Sequence, residues 1–183
     1  MQAANSTTPQ VKIAIIGAGF GGLAMAIRLL QNNIRDFVIL EKASGIGGTW
    51  RENQYPGAAC DVQSHLYSLS FSPKTDWSKR YAEAPEIYQY MQTLTAEHQL
   101  QPYIRFHTEV SAAHYLENQC LWQLTLNQNE TLTAQFVIFA SGPLHVPQIP
   151  RIAGIEKFKG KVFHSSQWNH NYDLNNKNVA SIG

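Results

Sequence analysis

The stretch VKIAIIGAGFGG, residues 11–22, decides the fold of this 183-residue chain. Its first half, Val11–Ile16, is a short apolar and β-branched run that is typical of a buried parallel strand. Its second half is a GxGxxG loop, and apolar residues recur at helical spacing from Leu23 onward. A second buried strand is predicted at Phe37–Leu40. Strand, glycine loop, helix and strand within about 30 residues predict the βαβ unit of a Rossmann fold.

Each glycine of the loop has its own role in such a unit. Gly17 permits the tight turn, Gly19 lets a pyrophosphate approach the backbone, and Gly22 lets the helix pack close to the strand. The N-terminus of the helix that opens on the loop presents free N–H groups and a positive dipole end to the phosphates. Glu41 ends the second strand, where a carboxylate accepts hydrogen bonds from a ribose diol and repels a 2′-phosphate. The loop therefore predicts a dinucleotide, and Glu41 favours FAD or NAD over NADP.

Downstream of this unit the sequence predicts a loop, one further helix and several strands. Residues 43–63 are rich in Gly, Pro and Asn and predict the loop. Pro85 suits the first turn of a helix whose apolar stripe is expected to pack in the core, with a partner-binding face as the alternative. Residues 104–140 predict strands, with alternating polarity around Trp122 and a buried run at 136–140. In the helix that begins near Pro85, the apolar stripe consists of Ile87, Tyr90, Met91 and Leu94.

Composition and charge indicate a globular protein whose small net charge favours no strongly charged partner. Hydrophobic residues make up 44% of the chain, charged residues 15%, and the net charge is +1, so neither nucleic acid nor an anionic membrane is indicated. No apolar run approaches the length of a membrane span, and the polar residues 1–10 carry no signal peptide. Cys60 and Cys120 lack the spacing of a zinc site, so no metal is expected. They favour a reduced, cytoplasmic chain, with a disulfide as the alternative.

A second segment, GGTWRENQYPGAACD at residues 47–61, separates FAD from NAD. Its two adjacent glycines expose backbone N–H groups for the close approach of a ligand. Residues 55–57, Tyr-Pro-Gly, form a stiff turn that could hold a loop beneath a planar ring. Asp61 could aim a carboxylate into the cleft. From these properties alone, a core position for Trp50 and a local turn-forming role for Asp61 are equally good interpretations.

The same segment resembles the fingerprint [A/G]GxWxxxx[F/Y]PGxxxD of flavin-dependent Baeyer–Villiger monooxygenases. A second stretch resembles their other fingerprint, FxGxxxHxxxW. Its positions are held by Phe158, Gly160, His164 and Trp168. Residues 140–142, Ala-Ser-Gly, resemble the ATG segment that follows the last strand of the family's FAD domain. The chain is therefore identified as a member of this family on two long motifs in the right order.

The resemblance implies an α/β fold: a Rossmann-like FAD-binding domain with a parallel sheet, helices on both faces and a small antiparallel β-meander, truncated before the NADPH-binding Rossmann domain. Residues 1–10 are then a flexible tail and residues 11–154 the FAD-binding domain. Residues 155–183 are the linker and the first strand of the missing domain, with Gly183 as the first glycine of a second loop. The family's catalytic arginine lies in that missing domain.

The implied activity is that of an NADPH- and O2-dependent monooxygenase that oxygenates ketones to esters or lactones through a flavin C4a-peroxide. Asn169 stands where the family has Pro or Asp, and N-oxygenating flavoproteins share a similar stretch. Two alternatives therefore stay open: N- or S-oxygenation, and a catalytically incomplete FAD-binding fragment without turnover. The implied partners are O2 and a small organic substrate, either a ketone or a soft heteroatom, with neither nucleic acid nor a membrane.

The resemblance also assigns residues to the FAD site. Asp61 is the supporting catalytic residue near the flavin, where it orients the family's arginine. Val62 and Tyr67 are expected close to the isoalloxazine ring and Val110 near the adenine, whereas His164 belongs to the domain linker, with a direct chemical role as the minor alternative. The expected cofactor-binding residues are Gly17, Gly19, Phe20, Gly22, Glu41, Lys42, Gly48, Thr49, Trp50, Asp61, Val62, Tyr67, Val110, Ser141 and Gly142.

Overall fold

A six-stranded sheet forms the centre of the computed structural model, which describes residues 10–144 and 146–182. Its strands are β1 (Val11–Ile16), β2 (Phe37–Leu40), β3 (Ile104–Arg105), β4 (Val110–Leu116), β5 (Leu121–Leu126) and β6 (Glu130–Phe139). They lie in the order β3-β2-β1-β6-β5-β4. The first four in this order run parallel, and β5 pairs antiparallel with both β6 and β4. The predicted combination of a parallel sheet with an antiparallel meander is therefore confirmed.

Within these described residues, two long helices and one short helix accompany the sheet. They are α1 (Phe20–Gln31), α2 (Thr49–Glu52) and α3 (Ala84–Glu97). Asn32 is the C-cap residue of α1, and its side-chain amide and backbone N–H both donate to the Arg28 carbonyl. Pro85 lies in the first turn of α3, where its missing N–H leaves no hydrogen bond unmade. Single turns of 3-10 helix lie at Ser64–Leu66, Gln101–Tyr103, Ile155–Lys157 and Ser165–Gln167.

Helices α1 and α3 pack on one face of the parallel strands. Ile13, Ile15 and Ile39 form a buried cluster there with apolar side chains from both helices. The predicted stripe of α3 points inward, because all four of its members are buried. The interpretation of that stripe as core packing is confirmed.

The opposite face of the parallel strands is covered by the meander. Ala14 and Leu40 form a second buried cluster with Leu124, Leu126 and Leu132. Over the described residues the structure thus differs from the expectation of helices on both faces, since both long helices share one face. The antiparallel strands cover the other face through side chains of β5 and β6.

Strand β6 joins the two parts of the sheet. Its residues 130–134 pair antiparallel with β5, and its residues 134–139 pair parallel with β1. The sequence predicts a buried run at 136–140, but Phe136 and Phe139 are 50% and 62% exposed. The prediction of burial is wrong at these two positions. Beyond residue 134 the strand pairs on one side only, and in the described part of the chain α1 and α3 lie over β1 and β2 instead.

The last part of the chain adds little to the core. Between 146 and 182 the structure has two 3-10 turns, and most of the side chains are exposed. Residues 179–182 make no strand pairing, so the strand expected there and the domain boundary at 154/155 stay predictions. Gly183 and residues 1–9 of the expected tail lie outside the described residues. In the described ranges, no helix is long and apolar enough to cross a lipid bilayer.

Candidate functional site

A cleft of about 820 Å³ opens at the carboxyl ends of β1, β2 and β6. This is the edge at which open parallel sheets bind their ligands. The expected binding residues that line it are Gly17, Gly19, Phe20, Glu41, Lys42, Gly48, Thr49, Trp50, Asp61, Tyr67, Val110, Ser141 and Gly142. Gly22 and Val62 do not line it. The fold therefore gathers segments that lie more than a hundred residues apart in the sequence into one site.

The three glycines of the first loop meet different surroundings. Gly17 has a φ of +103°, and a Cβ there would lie 2.7 Å from the Ala140 carbonyl oxygen. A Cβ on Gly22 would lie 1.9 Å from the Gly17 carbonyl oxygen, so no side chain fits between α1 and the loop. Gly19 has an ordinary φ of −80°, and a Cβ there would meet no atom of the described residues within 4 Å. The protein itself requires glycine at positions 17 and 22 but not at position 19.

The N-terminus of α1 faces the cleft without a cap. Gly19 is the N-cap residue, no side chain among the described residues caps the helix, and the first turn contains no acidic residue. The first backbone N–H to bond back is that of Leu23, which donates to the Gly19 carbonyl. The preceding N–H groups and the positive end of the helix dipole are therefore available to an anion in the cleft.

Glu41 joins the glycine loop to the loop after β2. Its side chain is buried, Oε2 accepts a hydrogen bond from the Ala18 N–H at 2.7 Å, and Oε1 accepts one from the Ala43 N–H at 2.8 Å. A carboxylate offers about four acceptor positions, so capacity remains on both oxygens for donors in the cleft. The exposed Lys42 lies beside it on the cleft wall.

The second glycine segment packs directly on the first. The Gly47 N–H donates to the Ala18 carbonyl at 2.9 Å. Gly48 has a φ of +50°, and a Cβ there would lie 3.4 Å from the Gly19 Cα. The two loops therefore approach closely, and α2 begins immediately at Thr49.

Aromatic side chains form one wall of the cleft. The Trp50 Nε1–H donates to the Tyr67 Oη at 3.0 Å, and the two rings meet edge to face with centroids 5.6 Å apart. Tyr67 makes a second edge-to-face contact, at 5.4 Å, with Phe20 of the first helical turn. Trp50 is half-buried, and it both packs on the core and lines the cleft. The two interpretations of Trp50 are thus not exclusive.

The Tyr67 phenol is held in its neutral form. Burial raises the pKa of Tyr67, and the negative charges that Cys60 and Asp61 can carry act in the same direction. The hydrogen bond from Trp50 opposes this shift of the pKa without cancelling it. Tyr67 therefore keeps its hydroxyl proton across the physiological range.

Asp61 and His164 occupy different kinds of surroundings. Asp61 lines the cleft with an exposed side chain, next to the buried Cys60. His164 does not line the cleft; its Nδ1 accepts from the Ser166 N–H at 3.1 Å and caps a single 3-10 turn. The geometry thus gives His164 a local structural contact. Cys60 and Cys120 are both free thiols, so the disulfide alternative is wrong.

Several cleft residues were not predicted from the sequence. Thr108 and Glu109 follow β3, and the Thr108 N–H donates to the Glu41 carbonyl at 2.9 Å. Once β3 is seen to run parallel to β2, the rule that ligands bind at the carboxyl ends of strands accounts for these two. The others include Glu52, Asn53 and Leu144, whose positions in loops or one-turn helices give no such signal.

Comparison with protein families gives one match over nearly the whole chain. The model of the pyridine nucleotide-disulphide oxidoreductase family matches residues 14–183. A Baeyer-Villiger monooxygenase of Pseudomonas aeruginosa is 49% identical over 172 residues, which are 94% of this chain and 33% of that protein. Another, of Streptomyces coelicolor, is 46% identical over 173 residues, with the same two coverages. The chain thus spans about a third of the length of these curated relatives.

Solved structures of similar proteins also superpose on most of this chain. A crystal structure of OTEMO in complex with FAD and NADP superposes with a TM-score of 0.82 at 36% identity, covering 89% of this chain and 31% of that one. The open crystal structure of cyclohexanone monooxygenase superposes with a TM-score of 0.82 at 35% identity, covering 91% of this chain and 34% of that one. Both fold and sequence are therefore shared with these proteins over most of the chain.

Proposed function

The chain belongs to the pyridine nucleotide-disulphide oxidoreductase family, and from this premise we propose that it binds FAD in the cleft at the carboxyl ends of β1, β2 and β6. The cleft supports this proposal by its position, its size of about 820 Å³ and its uncapped helix. A similar structure of known composition, that of OTEMO, is a complex with FAD and NADP.

Gly19 carries the proposal. Its backbone conformation suits any residue, and the protein leaves open space where its side chain would be. A glycine that the fold does not need still serves a ligand that must come close to the backbone. The pyrophosphate of FAD is such a group, and the free N–H groups of α1 point to the same place.

The other cleft residues are assigned to different parts of the proposed FAD. Glu41 accepts hydrogen bonds from the adenosine ribose, with Lys42 beside it, and Val110 borders the adenine. Asp61 and Tyr67 belong to the flavin end. The proposed contacts elsewhere come from Gly17, Phe20, Gly48, Thr49, Trp50, Ser141 and Gly142. Gly22 acts through the packing of α1, and nothing in the structure supports a contact from Val62.

When bound, FAD supplies the redox chemistry. The protein's own part is to bind and orient the cofactor and to exclude water from its reactive face. The aromatic wall of Phe20, Trp50 and Tyr67 serves the last purpose, because it presents apolar ring surface to the cleft. Asp61 is proposed to orient a cationic group, the arginine that the family places outside these residues.

We propose that the whole protein is an NADPH- and O2-dependent monooxygenase that oxygenates small ketones in a Baeyer–Villiger oxidation. The names of the relatives support this activity. Oxygenation of nitrogen or sulfur is the second candidate, favoured by Asn169 at a position where the Baeyer–Villiger pattern has Pro or Asp. Since the relatives are about three times as long, we propose that these 183 residues hold FAD but do not turn over alone.

The proposed partners are O2 and a small organic substrate, and the proposed location is the cytoplasm. The two free thiols support a reducing compartment. The near-neutral net charge of +1 supports a small-molecule ligand over nucleic acid or an anionic membrane.

The visible spectrum of the purified chain and a titration with FAD test the binding proposal. We expect a yellow protein, or saturable uptake of added FAD. In the Gly19→Ala variant we expect an unchanged melting temperature, because the added Cβ meets no atom of the part of the chain that the structure describes. We also expect FAD affinity to fall about tenfold or more, since the methyl group occupies the approach of the pyrophosphate.

Met25→Ala is the matched control, because Met25 is on the outside of the same helix and is 36% exposed. It is expected to bind FAD as the unmodified chain does. A colourless chain that takes up no FAD contradicts the proposal, as does a Gly19→Ala variant with undiminished affinity.

A further inference from the structure

The connection between β3 and β4, residues 106–109, joins the two edge strands of the sheet. Two of its residues, Thr108 and Glu109, line the cleft, and so does Val110 at the start of β4. This connection has no strand pairing of its own, so its shape depends on hydrogen bonds to other parts of the chain.

On the side of β2, the β3–β4 connection is held through the backbone. The His107 N–H donates to the Ala43 carbonyl at 3.1 Å, and the Thr108 N–H donates to the Glu41 carbonyl at 2.9 Å. The connection therefore lies directly beside the residue that is proposed to bind the ribose.

The contacts of Glu41 give the cleft an order along its length. Its carboxylate accepts from Ala18 of the glycine loop, whereas its carbonyl accepts from Thr108 of the connection. In a nucleotide the ribose stands between the phosphates and the base. With the pyrophosphate at the N-terminus of α1 and the ribose at Glu41, the base therefore lies against residues 108–110.

On its other side, the β3–β4 connection is held by one residue, Asn127, in the turn between β5 and β6. The Asn127 Nδ2–H donates to the His107 carbonyl at 3.1 Å, and its Oδ1 accepts from the Glu109 N–H at 2.9 Å. Its backbone N–H donates to the Glu109 carbonyl, also at 2.9 Å. Three hydrogen bonds from a single residue thus fix the part of the connection that borders the proposed base.

Asparagine suits this position in two ways. Asn127 has a φ of +47°, a backbone conformation that asparagine tolerates better than most residues. Its side-chain amide also carries both a donor and an acceptor, and the connection uses both. His107 itself has a φ of +53°, so the connection adopts an unfavourable conformation that its neighbours must maintain.

We propose that Asn127 is a positioning residue for the adenine of FAD: by fixing residues 107–109 it sets the shape of the cleft at the base, and with it the preference for adenine. The role rests on the proposed binding of FAD. Asn127 acts from outside the cleft, because it lines a smaller neighbouring cavity of about 440 Å³ on the other side of the connection.

A second contact between the same segments is the competing anchor. Arg105 at the end of β3 donates through Nη2 to both carboxylate oxygens of Glu130, at 2.9 and 3.0 Å. The two side chains are 41% and 51% exposed, and an ion pair exposed to this degree contributes little. If it held the connection by itself, loss of the Asn127 side chain would leave nucleotide binding unchanged.

A comparison of ADP with UDP on the 183-residue chain tests the proposal, since these nucleotides differ only in the base. The unmodified chain is expected to bind ADP more tightly, because the larger adenine fills more of the space beside residues 108–110. The Asn127→Gly variant keeps the positive φ without strain and loses both side-chain hydrogen bonds. In it we expect about fivefold weaker binding of ADP and of FAD, with little change for UDP.

Two further variants separate positioning from a general effect on the turn. Gln128→Gly is the matched control, because Gln128 is the next residue of the same turn, has a φ of +70°, and makes no side-chain hydrogen bond within the described ranges. It should leave the ratio of ADP to UDP affinity unchanged. Asn127→Asp replaces the donor by an oxygen that faces the His107 carbonyl, so it should weaken ADP at least as much as Asn127→Gly.

Amide hydrogen exchange examines the same contact in the unmodified chain. The Glu109 N–H should be protected before any nucleotide is added, because Asn127 already holds it. The proposal is overturned if this N–H exchanges freely in the ligand-free chain, or if Asn127→Gly weakens ADP and UDP equally or weakens neither. A chain that binds neither FAD nor ADP would contradict the proposed function itself.

Discussion

Glu41 joins two loops of the fold and also lines the cleft that is proposed to bind FAD. Its two carboxylate oxygens accept from the backbone N–H groups of Ala18 and Ala43, which belong to two different loops. The sequence predicts a carboxylate at the end of β2 and a contact with ribose. It does not predict that the same carboxylate fastens the glycine loop, because that contact depends on the register between β1 and β2.

The Glu41→Gln variant is therefore expected to be impaired in stability and in binding. A glutamine amide presents one N–H2 group where the carboxylate presents an acceptor, so one buried backbone N–H loses its partner. We expect the free energy of unfolding to fall by about 1–3 kcal/mol and FAD affinity to fall with it. Chemical denaturation and FAD titration of the variant measure the two effects.

Glu52→Gln is the control for this substitution. Glu52 also lines the cleft, but its carboxylate pairs with Arg51 near the surface. A half-exposed ion pair of this kind contributes at most about 1 kcal/mol. If Glu41→Gln and Glu52→Gln lost equal amounts of stability, the two hydrogen bonds that Glu41 accepts from backbone N–H groups would contribute no more than the Glu52–Arg51 ion pair.

At the scale of elements, the βαβ unit could be predicted almost completely from the sequence. The strands at Val11–Ile16 and Phe37–Leu40 are found as expected, since a buried strand has a local signature in β-branched residues. The exposure of Phe136 and Phe139 could not be predicted in this way. Their apolar character is local, whereas what covers a strand depends on where distant helices pack.

The contact between α1 and the glycine loop is the tightest of these packing constraints. A Cβ on Gly22 would lie 1.9 Å from the Gly17 carbonyl oxygen, which is backbone and cannot rotate away. We expect Gly22→Ala to shift α1 away from β1 and to lower the free energy of unfolding by about 1–3 kcal/mol or more. Thermal unfolding followed by circular dichroism measures this change.

Gly19→Ala is the natural comparison, because it makes the same change three residues earlier with no protein atom within 4 Å. We expect Gly22→Ala to lower the stability of the chain, and Gly19→Ala to lower its FAD affinity without lowering its stability. If Gly22→Ala melted at the same temperature as Gly19→Ala, the close packing of α1 on the loop would not be a constraint on the sequence.

At the scale of the whole molecule, the cleft is assembled by topology. The strand order β3-β2-β1-β6 places the carboxyl ends of four parallel strands at one edge of the sheet. The residues that follow these strands, Thr108, Glu41, Gly17 and Ser141, therefore meet in the cleft. The sequence predicts three of these four from motifs that precede or follow an evident strand. Thr108 was missed because β3 is only two residues long and has no recognisable pattern of its own.

Transfer of hydride from NADPH requires that a nicotinamide be positioned against the flavin. The relatives of known structure are about three times the length of this chain, and one of them is a complex with both FAD and NADP. The glycine loop, α1 and Glu41 make one dinucleotide site, which FAD fills under the proposal. We therefore expect that NADPH added anaerobically to the FAD-loaded 183-residue chain leaves the visible absorbance of the flavin unchanged. Dithionite, a small reductant that needs no binding site, should bleach the same sample and serves as the control.

Rapid bleaching by NADPH would mean that these 183 residues also position a nicotinamide against the flavin. The cleft would then have to hold parts of two cofactors instead of one.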